Sequence, residues 1–343
     1  MIRPTNLIYL VTRAHGLSTH LLNRDEILLL ARSRDLNAFI EGLMRSDYAE
    51  DLGAISREDI NARVLNKIFS DTYVKRLLYL LKVATGKIKS FLDAYTRRVE
   101  VDNIKRISRA KFHGLDIGME ELIQLPRIYS PINFQAMVEA ESLEDSLSLL
   151  GFTMYRGVVE YIGMAKELQS TLPIESYLDR IYYTNIYKRM ESIVDKNIVS
   201  SMIGLEIDLR NIYYIISYRI LDVSPDIIES AIIRPVYKFK NRHISSMIRT
   251  RLDGILDVLN LTPYRDYIKR LLPAFEAKSI DRLEHELSKI YKNHIDKISM
   301  KNPLGLGYIL WYLNSIGYEC RNLMTIAFGK ELGVKDLEES LII

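Results

Sequence analysis

Apolar residues recur at intervals of three and four along most of the chain, as they do on one face of an α-helix. The clearest runs are Ile60, Val64 and Ile68; Val74, Leu77, Leu78 and Leu81; and Leu283, Leu287 and Ile290. No segment combines strand-like alternation with an Asn-Gly or Asp-Gly turn. Prolines fall between the periodic segments, where they break helices rather than interrupt them. These prolines are Pro126, Pro131, Pro173, Pro225, Pro235 and Pro303. The pattern predicts an almost wholly α-helical protein.

A motif of the form acid-x-x-Asn-aliphatic-x-x-Ile occurs three times. Its copies are Glu100, Asn103, Ile104 and Ile107; Asp208, Asn211, Ile212 and Ile215; and Glu319, Asn322, Leu323 and Ile326. Successive asparagines are 108 and 111 residues apart. So regular a spacing indicates an internal repeat.

A second motif, Leu-x-x-(Ser/Thr)-x-Tyr, also occurs three times. Its copies are Leu43, Ser46 and Tyr48; Leu150, Thr153 and Tyr155; and Leu259, Thr262 and Tyr264. The distance from its Ser or Thr to the following motif Asn is 57, 58 and 60 residues. The two motifs together predict three helical repeat units, residues 1–115, 116–225 and 226–343, arranged as three similar bundles with pseudo-threefold symmetry.

The motif asparagine has a structural and a functional interpretation. On a helix the acid, the Asn and the final Ile share one side. Asn is unfavourable inside a helix, so three copies at one place need a local reason. A repeated polar ligand site is one reason. The sequence favours the other, a buried amide that bonds a neighbouring helix or loop with the acid as its companion. The Ser or Thr hydroxyl of the second motif is expected to cap a following helix.

Composition limits the class of protein. The chain has 343 residues, 48% of them hydrophobic and 27% charged, and a formal net charge of +3. Near-balanced charge argues against a protein that grips nucleic acid. The single cysteine, Cys320, excludes an internal disulfide and is expected to be a small buried side chain. No signal peptide and no apolar run long enough to span a bilayer is present, which predicts that any membrane association occurs through a partner.

Searches for catalytic or ligand-binding motifs give none. His15 and His20 are five residues apart, which does not place them on one helix face, and no His-Glu-x-x-His occurs. The segment 85–87, Thr-Gly-Lys, lacks the upstream glycine of a phosphate-binding loop. We therefore expect no catalytic residue, no metal and no cofactor.

Basic residues are concentrated between positions 234 and 251, a stretch without an acid. Arg234, Lys238, Lys240 and Arg242 form its densest part. A solvated helix face is the ordinary explanation for such a run. The functional alternative is a docking patch for an acidic partner.

Several of these segments together resemble the C subunit of archaeal A-type and bacterial V-type rotary ATPases, a relative of the eukaryotic V-ATPase d subunit. The similarity is strongest in Asn302-Pro-Leu-Gly-Leu-Gly-Tyr308, in 318–323 with Ile326, and in Gly329-Lys-Glu-Leu-Gly333. Segments 43–48 and 100–114 also follow the family pattern, and the likeness extends along the whole chain. One departure is Cys320, where the family pattern has an aliphatic residue.

The resemblance implies a funnel of three helical bundles and a non-catalytic adapter. In that role the protein would connect the central-stalk rotor shaft to the proteolipid ring of the membrane sector. It would lie peripherally on the cytoplasmic face, bound to the membrane only through the complex, and couple ATP chemistry to proton or sodium transport. Two alternatives stay open from the residues themselves. One is a generic α-helical interaction scaffold, and the other is an enzyme that uses scattered acids in a central cavity.

Overall fold

Seventeen α-helices and six short 3₁₀ turns account for the regular structure of residues 5–343, the part of the chain that the computed structural model describes. The helices are α1 (Thr5–Ser18), α2 (Arg24–Ala31), α3 (Leu36–Leu43), α4 (Ala49–Gly53), α5 (Ala62–Val83), α6 (Gly86–Phe112), α7 (Phe134–Glu139), α8 (Leu143–Ser148), α9 (Ile162–Glu167), α10 (Leu172–Met190), α11 (Lys196–Ile220), α12 (Pro225–Ala231), α13 (Asn241–Arg249), α14 (Ile255–Asn260), α15 (Ile268–Glu276), α16 (Ile280–Lys301) and α17 (Leu306–Glu331). The 3₁₀ turns are Arg57–Asp59, Met119–Glu121, Arg156–Tyr161, Leu252–Gly254, Arg265–Tyr267 and Glu338–Ser340. Within this range there is no strand, so the predicted all-α class is confirmed.

Polar side chains define where many of the helices begin. Asn23 and Glu26 form a capping box at α2, in which the Asn23 side chain accepts from the N–H groups of Asp25 and Glu26. Asn61 caps α5 in the same way by accepting from two backbone N–H groups. These contacts satisfy donors that the first turn of a helix cannot pair internally.

The three helices that carry the motif asparagines, α6, α11 and α17, end alike. Each ends at a residue in the left-handed backbone region eleven positions after its Asn: Gly114, Asp222 and Gly333. The next N–H donates to a carbonyl five residues earlier, at 2.8, 3.0 and 2.8 Å respectively. This arrangement is a Schellman ending, which pairs carbonyls that the last turn leaves open. The predicted left-handed cap therefore lies at Gly333, whereas Gly329 is inside α17, where a Cβ would overlap Leu337.

Six long helices form the centre of the fold. They pack most extensively in the pairs α5 with α17, α6 with α10 and α11 with α16. Helix α1 lies against both α5 and α17. Apolar side chains from all of these helices join one continuous buried cluster. Chain segments far apart in sequence therefore share one core.

The connections between consecutive long helices are short. They consist of residues 84–85, 191–195 and 302–305. None of the helices between residues 5 and 343 combines the length and the apolar composition that a membrane crossing requires.

Candidate functional site

Each motif asparagine forms a pair of hydrogen bonds with one residue of a later loop. Its amide Nδ2 donates to that residue's carbonyl, and its Oδ1 accepts from the same residue's N–H. The pairs are Asn103 with Ile123 (2.7 and 2.9 Å), Asn211 with Ile233 (3.0 and 2.8 Å) and Asn322 with Ile342 (3.0 and 2.8 Å). All three asparagines are buried. A backbone segment without helical partners is satisfied in this way three times, at equivalent places.

The acid of each motif accepts a hydrogen bond from a tyrosine hydroxyl of the second motif. Tyr155 donates to Glu100 at 3.0 Å, Tyr48 donates to Glu319 at 2.8 Å, and Tyr264 donates to Asp208. Each acid thus bonds the tyrosine that follows it in the repeat order, and Glu319 bonds Tyr48 near the other end of the sequence. Spacing alone had associated each tyrosine with the next asparagine along the chain.

The Ser or Thr of the second motif stabilises a turn. Ser46, Thr153 and Thr262 each donate to the carbonyl of the motif leucine at 2.7 Å and accept from the N–H of the motif tyrosine. The hydroxyl does not cap the following helix, because it is two residues upstream of the position from which a cap would act. The turn fixes the tyrosine backbone, so that its hydroxyl reaches the acid.

The three acids differ in their other partners. Glu100 is paired with Arg97 at 2.5 Å. Asp208 accepts from three successive N–H groups of residues 237–239, and burial, opposed by these bonds, raises its pKa. Glu319 accepts only from the Leu22 N–H, at 2.6 Å, and from its tyrosine. Burial raises the pKa of Glu319 to about 7.

Cys320 is buried on α17, as predicted, and its thiol donates to the Phe69 carbonyl at 3.2 Å. Burial raises the pKa of this thiol, which makes it a packing side chain rather than a reactive one.

The basic residues of the 234–242 segment project into solvent. Arg234 is paired with Glu229 and donates to Asn241 at 2.8 Å. Lys238, Lys240 and Arg242 are exposed, and no ion pair is found for them within residues 5–343. The backbone beneath them is held by Asp208, so the charges extend from an anchored loop.

A cavity of about 530 Å³ lies among the six long helices. Its charged lining residues are the cations Arg98, Lys105, Arg106, Arg109, Arg210 and Arg321, and the acids Asp102, Asp179, Glu206 and Glu284. None of these side chains was predicted from the sequence as a site residue. One signal was available: Arg98 and Glu206 both lie five positions before a motif asparagine, which places them at equivalent points of two copies.

Arg98 connects four of the long helices. From α6, it donates to Glu206 of α11 at 2.7 Å, to Asn314 of α17 at 3.0 Å and to Tyr182 of α10 at 3.4 Å. Its guanidinium also lies 4.6 Å from the ring centroid of Tyr95. Burial lowers the pKa of Arg98, but Glu206 and the tyrosines outweigh this and raise it above its ordinary value.

A second group of charges is centred on Asp179 of α10. Lys105 donates to it at 2.6 Å and Tyr214 at 2.6 Å, and Arg210 lies 3.4 Å away. Arg210 also donates to Glu284 of α16 at 3.1 Å. Burial raises the pKa of Asp179, yet the two cations outweigh it and lower the pKa overall. Desolvated charges with this many partners stabilise one arrangement of the helices, since removing any partner leaves a buried charge unpaired.

No group of three or more His, Cys, Asp or Glu side chains in the described range is arranged to hold a metal ion. The charges around the cavity pair with each other across helices. The fold and this site define the class: an all-helical protein whose charged centre joins its long helices.

Comparison with known proteins identifies the family. Residues 10–338 match the model of the ATP synthase (C/AC39) subunit family, and the chain belongs to that family. The C subunit of the A-type ATP synthase of Pyrococcus furiosus is 24% identical over 320 residues, covering 92% of this chain and 84% of its own. The proteins of Methanosarcina barkeri (23% identical, covering 99% of this chain and 93% of the relative) and Methanobrevibacter smithii (25%, 76% and 68%) carry the same name. The resemblance predicted from the motifs is confirmed, and the family is that of a structural stalk protein rather than a catalytic one.

Proposed function

We propose that this chain is the central-stalk adapter of an A-type or V-type rotary ATPase, connecting the rotor shaft to the proteolipid ring. In this role it transmits torque between ATP chemistry and ion transport. It associates peripherally with the cytoplasmic face of the membrane, through the complex alone. The observation that carries the proposal is the match to the ATP synthase (C/AC39) family along nearly the whole chain.

The packing of the long helices supports this role. A torque-transmitting part must resist twisting, and the Arg98 and Asp179 groups connect helices that belong to different copies of the repeat. Short connections between the long helices leave little slack. A flexible scaffold would need neither feature.

The hydrogen bonds also suggest how the three bundles are divided. Each Asn helix contacts the tyrosine motif and the long helix that come after it. We therefore propose bundles of residues 86–190, 196–301, and 306–343 together with 5–83. This division begins each unit at the Asn helix, whereas the boundaries expected from spacing, 1–115, 116–225 and 226–343, end each unit just after it. Both ends of the described chain then lie in one bundle, and this closes the set of three.

The exposed basic segment is a candidate docking surface for an acidic face of another protein in the complex. Lys238 and Arg242 extend from a loop whose backbone is fixed by Asp208. Charges held on a rigid base can steer and orient a partner.

Copurification tests the proposed function. The chain is expressed with the shaft proteins and, separately, with the proteolipid ring, and each mixture is passed over an affinity tag on this chain. Both partners should be retained, and the isolated chain should hydrolyse no ATP. Retention of neither partner, or ATP turnover by the isolated chain, would contradict the proposal.

The docking surface is tested with K238E/R242E at moderate salt. We expect weaker binding of one partner and an unchanged melting temperature, because both side chains are exposed. The matched control is R249E/R251E, which makes the same charge change at the other end of the basic run. Equal loss in both variants would indicate a general effect of net charge.

A further inference from the structure

The central cavity contains cations that the carboxylates around it do not neutralise. Arg98 pairs with Glu206, Lys105 with Asp179, and Arg210 with Glu284. Arg109 pairs with Glu175, which is buried just outside the lining. Arg106 and Arg321 remain, and within residues 5–343 neither forms an ion pair with a carboxylate.

Arg106 and Arg321 belong to different helices and face the same space. Arg106, on α6, uses one guanidinium N–H to reach the Glu121 carbonyl at 2.7 Å. Arg321, on α17, is exposed and lines the cavity. They lie close enough for Arg321 and Arg109 to oppose the charge on Arg106, whose pKa is lowered mainly by burial. Grouping like charges in a partly desolvated cavity is unfavourable unless an anion lies among them.

A third donor lies on another long helix. Ser70, on α5, is 2% exposed and lines the cavity, and its hydroxyl has no hydrogen-bond partner. A buried hydroxyl without a partner is uncommon, because leaving it unpaired costs free energy. Ser70 thus points independently to a missing acceptor in the cavity.

Acids near these donors limit the kind of ligand. Glu284 is already paired with Arg210. Asp102 is exposed to solvent, where its charge is screened, and it lies near Arg106. Two unpaired guanidinium groups therefore face one screened carboxylate. Planar guanidinium forks match the oxygens of phosphate groups, and they bind such oxyanions by charge-assisted hydrogen bonds.

We propose that the cavity binds a phosphate-type polyvalent oxyanion through Arg106, Arg321 and the Ser70 hydroxyl. The bound anion would connect α6 to α5 and α17, and so strengthen the contact between two of the proposed bundles. This inference does not depend on the proposed function.

Calorimetric titration of the purified chain with pyrophosphate, and separately with inorganic phosphate, tests the proposal. Ionic strength is held constant with sodium chloride, so that general screening does not change. We expect saturable binding, tighter for pyrophosphate, and a matching rise in melting temperature. Absence of saturable binding for both anions would overturn the proposal.

Arg321→Gln is the decisive variant, because Arg321 is exposed and its loss leaves no buried charge behind. Removing one charge-assisted contact should weaken pyrophosphate binding about 10- to 100-fold. Arg249→Gln, an exposed cation outside the cavity, should bind as the unmodified chain does. Equal affinities for Arg321→Gln and the unmodified chain would refute the assignment, even if Arg106→Gln failed to fold.

A partner's carboxylates are the competing occupant. In that case Arg321→Gln would weaken retention of the shaft proteins in phosphate-free buffer, while pyrophosphate would give no binding heat. This result would reject the anion site and leave the proposed function intact.

Discussion

Replacing Asn211 with leucine tests whether the repeated asparagine is structural. Leucine is similar in size, so packing is nearly preserved while both amide hydrogen bonds are lost. Asn211 and Ile233 are each 0% exposed, and water cannot replace the lost bonds. The Ile233 N–H, which donates at 2.8 Å, and its carbonyl, which accepts at 3.0 Å, would both be left unpaired.

The expected cost follows from these two groups. Leaving one buried polar group unsatisfied costs about 1–3 kcal/mol, so two cost about 2–6 kcal/mol. Leucine favours helix over asparagine by roughly 0.5 kcal/mol, which offsets a little. The net loss in unfolding free energy should be about 2–5 kcal/mol for Asn211→Leu.

Urea unfolding followed by circular dichroism measures this loss, with thermal melting as a second readout. Asn293→Leu is the matched control, because Asn293 lies on the exposed side of α16 and bonds only the Lys289 carbonyl within its own helix. Its stability should change by no more than about 0.5 kcal/mol. If Asn211→Leu unfolds at the same urea concentration as the unmodified chain, the structural role is refuted and the ligand-site interpretation regains support.

Three further substitutions address other parts of the structure. Because burial raises the pKa of Glu319 from its ordinary 4.5 to about 7, the stability it contributes is full below pH about 4.5 and falls as the pH rises through 7. Glu319→Gln should therefore gain up to about 3 kcal/mol relative to the unmodified chain between pH 4.5 and 8 in urea unfolding, and a pH-independent difference would contradict this. Arg98→Gln leaves Glu206 buried and unpaired and should cost about 3–5 kcal/mol, part of which Arg98→Gln/Glu206→Gln should recover; strictly additive losses would show that the two do not interact. Tyr264→Phe removes one donor from Asp208, which keeps its three backbone donors, and should lower the unfolding free energy by about 1–2 kcal/mol, whereas an unchanged melting temperature would show that this bond is not stabilising.

The helices and the internal repeat could be predicted from the sequence because both depend on local spacing. Periodicity of three and four reports which side of a helix is buried, and it needs no knowledge of the partner. The family could also be identified, because the segment from Asn302 to Gly333 keeps its residue order. Backbone features such as the left-handed end at Gly333 follow from glycine's conformational freedom.

The partners of the tyrosines could not be predicted in the same way. Tyr48 is 271 positions from the Glu319 that it bonds, whereas the nearest motif acid along the chain is Glu100. Sequence spacing favours the nearer acid, and only the packing of α17 with the early helices selects the distant one. A repeat unit read from spacing can therefore be divided at the wrong end of an element even when its length is right.

The charged centre could not be predicted for a different reason. A charged residue on a long helix is normally a solvated one, and sequence alone gives Arg98 the same appearance as an exposed arginine such as Arg249. Burial depends on which helix face meets the other copies, and that face is set by long-range packing. The equivalent positions of Arg98 and Glu206 are a usable signal only once the repeat has been aligned.

The equivalent positions also explain why a triplicated chain has unlike residues at its centre. Arg98, Glu206 and Gly317 each lie five residues before a motif asparagine, and all three line the same cavity. Three identical charges there would repel one another in a partly desolvated space. An arginine and a glutamate instead form an ion pair at 2.7 Å, and the glycine adds no side chain between them. The outer positions of the repeat, where each copy meets its own loop, keep the same asparagine three times. Similarity is therefore retained where each copy bonds itself, and divergence occurs where the copies meet.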